Sequence, residues 1–81
     1  MQERVLKMSR IEIESEVTGN VWKVETKVGD RVEEEDVLLI LESMKMEIPV
    51  EATCAGIVTE LLVSEKDTVE EDQVLVIIEP A

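Results

Sequence analysis

The chain reads as an all-β domain, a small sandwich or flattened barrel of about seven or eight short strands. Three observations lead there. The apolar residues are almost all Val, Ile, Leu, Met and Ala, with a single aromatic, Trp22, and no Phe or Tyr. That supply is rich in β-branched side chains, which suit a pleated surface. No segment carries a 3.6-residue apolar stripe, whereas short alternating or continuous apolar runs recur between turn residues. Finally, the sequence repeats itself. Shifted by 37 residues, 11–43 lies over 48–80 without a gap, with 12 identities in 33 positions. Two copies are too few for a solenoid, which needs about three stacked units. One compact domain with an approximate internal two-fold, each copy supplying half the core, is the economical arrangement.

The elements follow in order. Ile11-Glu12-Ile13-Glu14 alternates apolar with acidic, as a half-buried strand does. After Gly19 comes a second strand, Val21-Trp22-Lys23-Val24, matched in the other copy by Ile57–Val63. Gly29-Asp30 marks a turn. Glu33–Asp36 is a polar corner, and Val37–Leu41 is an apolar strand expected to be covered on both sides. Ile48-Pro49-Val50 opens the second copy, and its proline belongs on a sheet edge.

Between the copies lie four residues, Met44, Lys45, Met46 and Glu47. From Val32 onward the only basic residues are Lys45 and Lys66. If the flanking strands pair as a hairpin, a four-residue link places Lys45 at a protruding tip. The two-fold then puts the chain's ends at the equivalent position of the other copy. Exposed turn lysines are common and most only keep an edge soluble. Met44 and Met46 are equally open to two readings: strand packing at i and i+2, or an adaptable apolar surface for a partner.

Composition excludes several functions. The formal net charge of −12 repels phosphate backbones and anionic lipids, so neither nucleic acid nor a membrane surface is an expected partner. The apolar runs of Val37–Leu41 and Val74–Ile78 are far shorter than the roughly 20 residues of a membrane span. The start lacks a signal-peptide pattern and Cys54 is the sole cysteine, so the cytoplasm is the expected location. With no histidine and three scattered glycines, there is no nucleophile–His pair, imidazole metal site or phosphate-cradling loop. The acids cluster in turn-like runs, Glu33–Asp36 and Glu70–Asp72. A self-contained enzyme is not expected.

Glu42-Ser43-Met44-Lys45-Met46, preceded by Val37–Leu41, resembles the attachment site of biotin carboxyl carrier domains, whose signature core is Met-Lys-Met. Gly19 before a strand, Val28-Gly29-Asp30 with Val32 beyond, and Gly56-Ile57-Val58 strengthen the likeness. It covers about residues 10–80 and is greatest to small stand-alone biotin/lipoyl attachment proteins. Residues 10–81 are accordingly expected to form the attachment domain. Residues 1–9 are expected to be an N-terminal extension, read either as residues added before a native start at Met8 or as an extra edge strand at Val5-Leu6.

The resemblance implies a hammerhead of two four-stranded antiparallel sheets related by a pseudo-two-fold. It further implies biotin joined to Lys45, with Met44 and Met46 as flanking recognition residues and Glu42 and Ser43 as turn context. The implied partners are a biotin protein ligase, a biotin carboxylase and a carboxyltransferase, and the carrier by itself is a monomer without catalytic residues. An alkylamine is protonated at neutral pH and only its neutral form attacks an acyl group, so a ligase must enclose such a lysine.

The family pattern is not matched everywhere. Glu35 and Asp72 stand at corners where many relatives have glycine, and Lys66 stands where the first copy has Gly29. If those backbones need positive φ, each non-glycine residue costs about 1 kcal/mol. Ser43 replaces a commoner alanine, and no segment is long enough for the thumb of some bacterial carriers. Rival readings are a lipoyl carrier, which usually has Asp and Ala where Met44 and Met46 stand, and an unmodified β-barrel adaptor. Trp22 is read as a packing residue, with partner docking as its alternative.

Overall fold

A computed structural model describes residues 10–80, folded entirely as strands and turns. The strands are β1 (Ile11–Glu14), β2 (Gly19–Val24), β3 (Arg31–Val32), β4 (Val37–Ser43), β5 (Met46–Glu51), β6 (Gly56–Leu61), β7 (Thr68–Val69) and β8 (Val74–Pro80). They form two four-stranded antiparallel sheets, ordered β1-β8-β6-β3 and β5-β4-β2-β7. We call them the terminal sheet and the hairpin sheet. The strand proposed at Val5-Leu6 lies outside the described residues.

The repeat is a symmetry of the fold. Exchanging each residue for the one 37 positions away in the other copy converts one sheet order into the other, and the registers follow. Ile11↔Ile78, Ile13↔Val76 and Glu14↔Val74 in β1–β8 become Ile48↔Leu41, Val50↔Leu39 and Glu51↔Val37 in β4–β5. Even the register shifts correspond: between Val21 and Lys23 in β2, and between Val58 and Glu60 in β6. Each copy therefore contributes matching halves of one core, seen in the buried pairs Leu38/Leu75, Leu41/Ile78, Val21/Val58 and Val32/Val69. Full burial of such side chains stabilises by about 1.5–3 kcal/mol each, which is how a domain nearly free of aromatics holds together.

Four corners carry the positive φ that the sequence left conditional: Gly29 (98°), Lys66 (79°), Glu35 (76°) and Asp72 (71°). The reason is visible in their hydrogen bonds. Gly29 N donates to Val58 O, Lys66 N to Val21 O, Glu35 N to Ala52 O and Asp72 N to Ser15 O, all at 2.7–2.8 Å. Each corner thus turns its N–H into the opposite copy, and the left-handed backbone is what aims it. The residue that follows closes the turn. Asp30, Asp67 and Asp36 accept through Oδ2 from the N–H three residues earlier, and Gln73 does so through Oε1. These bonds offset the steric cost of placing Glu, Lys and Asp where glycine is easier.

Three expectations are corrected. Val37–Leu41 is not covered throughout: Leu38, Leu39 and Leu41 are buried, but Val37 is 39% exposed and Ile40 half-buried, because no layer packs on the outer face of β4. Trp22 is not a packing residue. It stands at the β2 register shift, where the ladder skips from Val21↔Leu41 to Lys23↔Ile40, and is 48% exposed. The link between the copies is also tighter than four residues. Glu42↔Glu47 and Ser43↔Met46 continue the β4–β5 ladder, leaving only Met44 and Lys45 as the turn. Pro49 lies on β5, an edge strand, as expected.

Candidate functional site

The β4–β5 hairpin presents the signature. Met44 and Lys45 both have positive φ, 53° and 66°. That is the type I′ pattern, whose twist matches the right-handed twist of the flanking strands. Asn-Gly is the usual solution, and a side chain in the left-handed region costs about 1–2 kcal/mol per residue. Such a turn persists only where its surroundings over-determine it.

The surroundings here do so. The β4–β5 ladder runs to its last residues at Ser43↔Met46. On the other side, the Ser43 hydroxyl donates to the Thr18 carbonyl at 2.9 Å. Thr18 Oγ1 in turn accepts from Glu71 N at 3.4 Å, and Thr68 Oγ1 donates to Asn20 Oδ1 at 3.5 Å. At the equivalent end of the terminal sheet these positions are Ala55, Pro80, Ile57 and Arg31, which cannot make the same links. Gly19 lets the strands close: a Cβ there would collide with the Glu42 carbonyl oxygen and crowd the Ser43 Cβ. The turn is thereby held at a fixed height above the sheet.

Lys45 is exposed, and among the described residues it forms no ion pair. Met44 is 88% and Met46 58% exposed, so the packing reading of the methionines is set aside. Glu42 and Glu47 face each other across the hairpin base, and both are exposed. Like charges opposite one another in a ladder destabilise it slightly, and here they leave an acidic collar below a lone cation. Ser43 is half-buried and serves the hairpin through Thr18. Sequence reasoning had not singled out Thr18; the signal available was that Thr18 and Ser43 both depart from their repeat partners Ala55 and Pro80.

The arrangement offers one nucleophile, a primary amine reachable from most directions. A groove of about 570 Å³ lies between the β1 and β5 edges and is lined by residues such as Glu12, Glu51 and Ile48, not by the turn. No group of His, Cys, Asp and Glu among the described residues is placed to hold a metal ion.

Compared with known proteins, the fold and hairpin define a class. Residues 6–78 match the biotin/lipoyl family model, described as biotin-requiring enzyme. The chain belongs to this biotin/lipoyl attachment family. It is 52% identical over 42 residues to the biotin/lipoyl attachment protein of Bacillus subtilis, a stretch that is 52% of this chain and 58% of that one. It is 48% identical over 46 residues, 57% of this chain and 65% of the other, to a biotinylated protein TB7.3 homolog of Mycobacterium leprae. The matches thus span less than two thirds of these relatives. In the crystal structure of urea carboxylase from Kluyveromyces lactis, a similar domain superposes with a TM-score of 0.81 and 39% identity, covering 85% of this chain and 6% of that one.

Proposed function

We propose that Lys45 is the biotin acceptor and that the chain is a biotin carboxyl carrier. The observation that carries this reading is the exposure of Lys45 on a two-residue turn between two exposed methionines. The ladder, the Ser43–Thr18 bond and the close approach at Gly19 hold the turn out, so the amine can enter a loading enzyme while the barrel stays folded. Once deprotonated in that enzyme, the amine attacks the activated carboxyl of biotin. A C–N amide bond forms, the bond to the leaving group breaks, and the amine's proton passes to a base of the loading enzyme or to solvent. The product is neutral, so the collar of Glu42 and Glu47 loses its nearest cation and the tip becomes an apolar arm.

Bound there, biotin supplies a ureido nitrogen that can carry a carboxylate. This chain's own part is to tether and present it, between a biotin carboxylase and a carboxyltransferase, in the cytoplasm. Tethering raises the effective concentration at each active site to about the millimolar range. The single attachment domain runs over residues 10–81, with Met44 and Met46 as recognition side chains and Glu42 and Ser43 as the turn's support.

The test is intact-mass analysis after co-expression with a biotin protein ligase, comparing wild type with Lys45→Ala. One biotinyl increment on wild type and none on Lys45→Ala is expected. A lipoyl increment instead identifies a lipoyl carrier; no increment on wild type identifies an unmodified adaptor.

A further inference from the structure

The internal two-fold makes the protein its own control. Each residue of one sheet has a structural equivalent in the other, and a departure between the two marks a demand the fold itself does not make. On the outer face of the terminal sheet, Glu12, Ile77 and Glu60 stand in register across β1, β8 and β6. Ile77 is only 4% exposed, and at its level the Arg10–Glu60 ion pair, 3.2 Å, spans β8. This row is polar and closed; just past β6, Leu62 is 49% exposed.

The equivalent row of the hairpin sheet is Pro49, Ile40 and Lys23. Its charges are exchanged: Glu47 replaces Arg10 and Lys23 replaces Glu60, so an ion pair across β4 remains available in principle. It is not made. Lys23 Nζ lies instead 5.9 Å from the centroid of the Trp22 ring, a cation–π contact. Ile40 is left half-buried without packing on the core, Pro49 is exposed, and Trp22 stands 48% exposed where the other sheet has Thr59. One sheet has closed this row and the other keeps an aromatic and aliphatic patch open.

We infer that this open face, Trp22 with Ile40 and Pro49, is where the enzyme that loads Lys45 docks, through an apolar pocket edged by lysine and arginine. The inference rests on the carrier reading above. Two observations select this occupant. The first is distance. Lys45 follows Ile40 by five residues, three of them in β4 and then the turn, a span of at most roughly 17 Å at strand rise. A standard interface of about 800 Å² per partner is about 32 Å across, so one footprint covers both patch and acceptor. A loading enzyme must approach that closely, because before modification the acceptor amine reaches no further than the length of the lysine side chain. The second is charge. Glu42, Glu47 and Glu51 border the patch on the same sheet, in a chain whose net charge is −12, so a cationic rim on the partner is complementary and speeds encounter.

The experiment uses substitutions that the fold already contains. Trp22→Thr and Pro49→Glu each install the residue found at the equivalent site of the terminal sheet, and Thr59→Ala is the control on that other sheet. Initial rates of loading by a purified biotin protein ligase are measured against carrier concentration, with far-ultraviolet circular dichroism on each variant. Trp22→Thr is expected to raise KM about tenfold, the effect of losing a central aromatic contact, with kcat within about twofold. Pro49→Glu shifts KM in the same direction and Thr59→Ala leaves it unchanged.

Because Trp22 is the only aromatic residue, 5-fluorotryptophan gives a single ¹⁹F resonance. Placed in a Lys45→Arg variant that cannot be loaded, it should shift or broaden as ligase is added. If wild type is loaded but both variants keep their KM within twofold and the resonance does not move, the docking face is refuted. If wild type never gains biotin, the carrier reading has failed and takes this one with it.

Discussion

Replacing Gly19 with alanine tests how the hairpin is held, and the duplicated fold again supplies the reference. Neither Gly19 nor Gly56 has positive φ, so alanine meets no backbone strain at either site. The obstacle is purely one of space. A Cβ at Gly19 would fall on the Glu42 carbonyl oxygen, and a Cβ at Gly56 on the equivalent Glu79 carbonyl oxygen. Backbone cannot swing aside as a side chain does, so β4 or β8 must shift. Overpacking of this kind costs about 1–3 kcal/mol. The smaller entropy of alanine in the unfolded chain returns about 0.4–1 kcal/mol. The expected net loss is therefore about 1–2 kcal/mol for each variant. At an m-value of about 1 kcal/mol/M, the urea midpoint falls by about 1–2 M, followed by circular dichroism. The function diverges where the stability does not. Glu42 lies next to Ser43 at the base of the turn, so Gly19→Ala displaces Lys45 and lowers its loading by a biotin protein ligase about tenfold under folding conditions, as expected for a misplaced acceptor. Gly56→Ala lies under Glu79 and leaves loading within twofold. Equal loading rates for the two variants would refute the claim that the close approach at Gly19 positions the turn.

Two further outcomes follow from the same packing. Lys66→Gly gives this corner the residue its equivalent already has at Gly29. Relief of left-handed strain, less the extra entropy of glycine, leaves a gain of up to about 1 kcal/mol, read as a rise of up to about 4–8 °C in Tm. Leu38→Ala and Leu75→Ala remove equivalent, fully buried side chains, and each is expected to lose about 2–5 kcal/mol with the two values agreeing closely. A large difference between them, measured by urea unfolding, would mean that the two halves do not share the core evenly.

The sequence revealed the fold because the repeat is local information with a global meaning. A gapless shift of 37 residues left the strands little freedom except to pair as two equivalent sets, and the observed registers do so. It revealed the candidate site for a related reason: residues 44–47 had no counterpart within the aligned copies. What it could not show depended on contacts between distant segments. Met46 and Glu47 joined β5 only because Ser43 and Glu42 stand opposite them. Trp22 left the core through a one-residue slip in the ladder, which alternation along a single strand does not announce. The left-handed backbone at Glu35, Lys66 and Asp72 is set by acceptors on the other half, Ala52, Val21 and Ser15. Glycine would have advertised those positions, and the chain uses other residues there.

A two-fold scaffold has two equivalent corners, but a linear polypeptide can cross from one half to the other through only one. Here the crossing is β4 to β5, while β8 and β1, which occupy the matching place, are paired side by side without being joined by a turn. On the carrier reading proposed above, the stoichiometry of loading is then fixed by connectivity. However closely the copies converge in sequence, a domain of this topology offers a single hairpin of this kind, and hence one attachment per folded unit. A permuted chain, opened at Met44 and closed by a turn between β8 and β1, would keep the barrel and move the address to the opposite sheet.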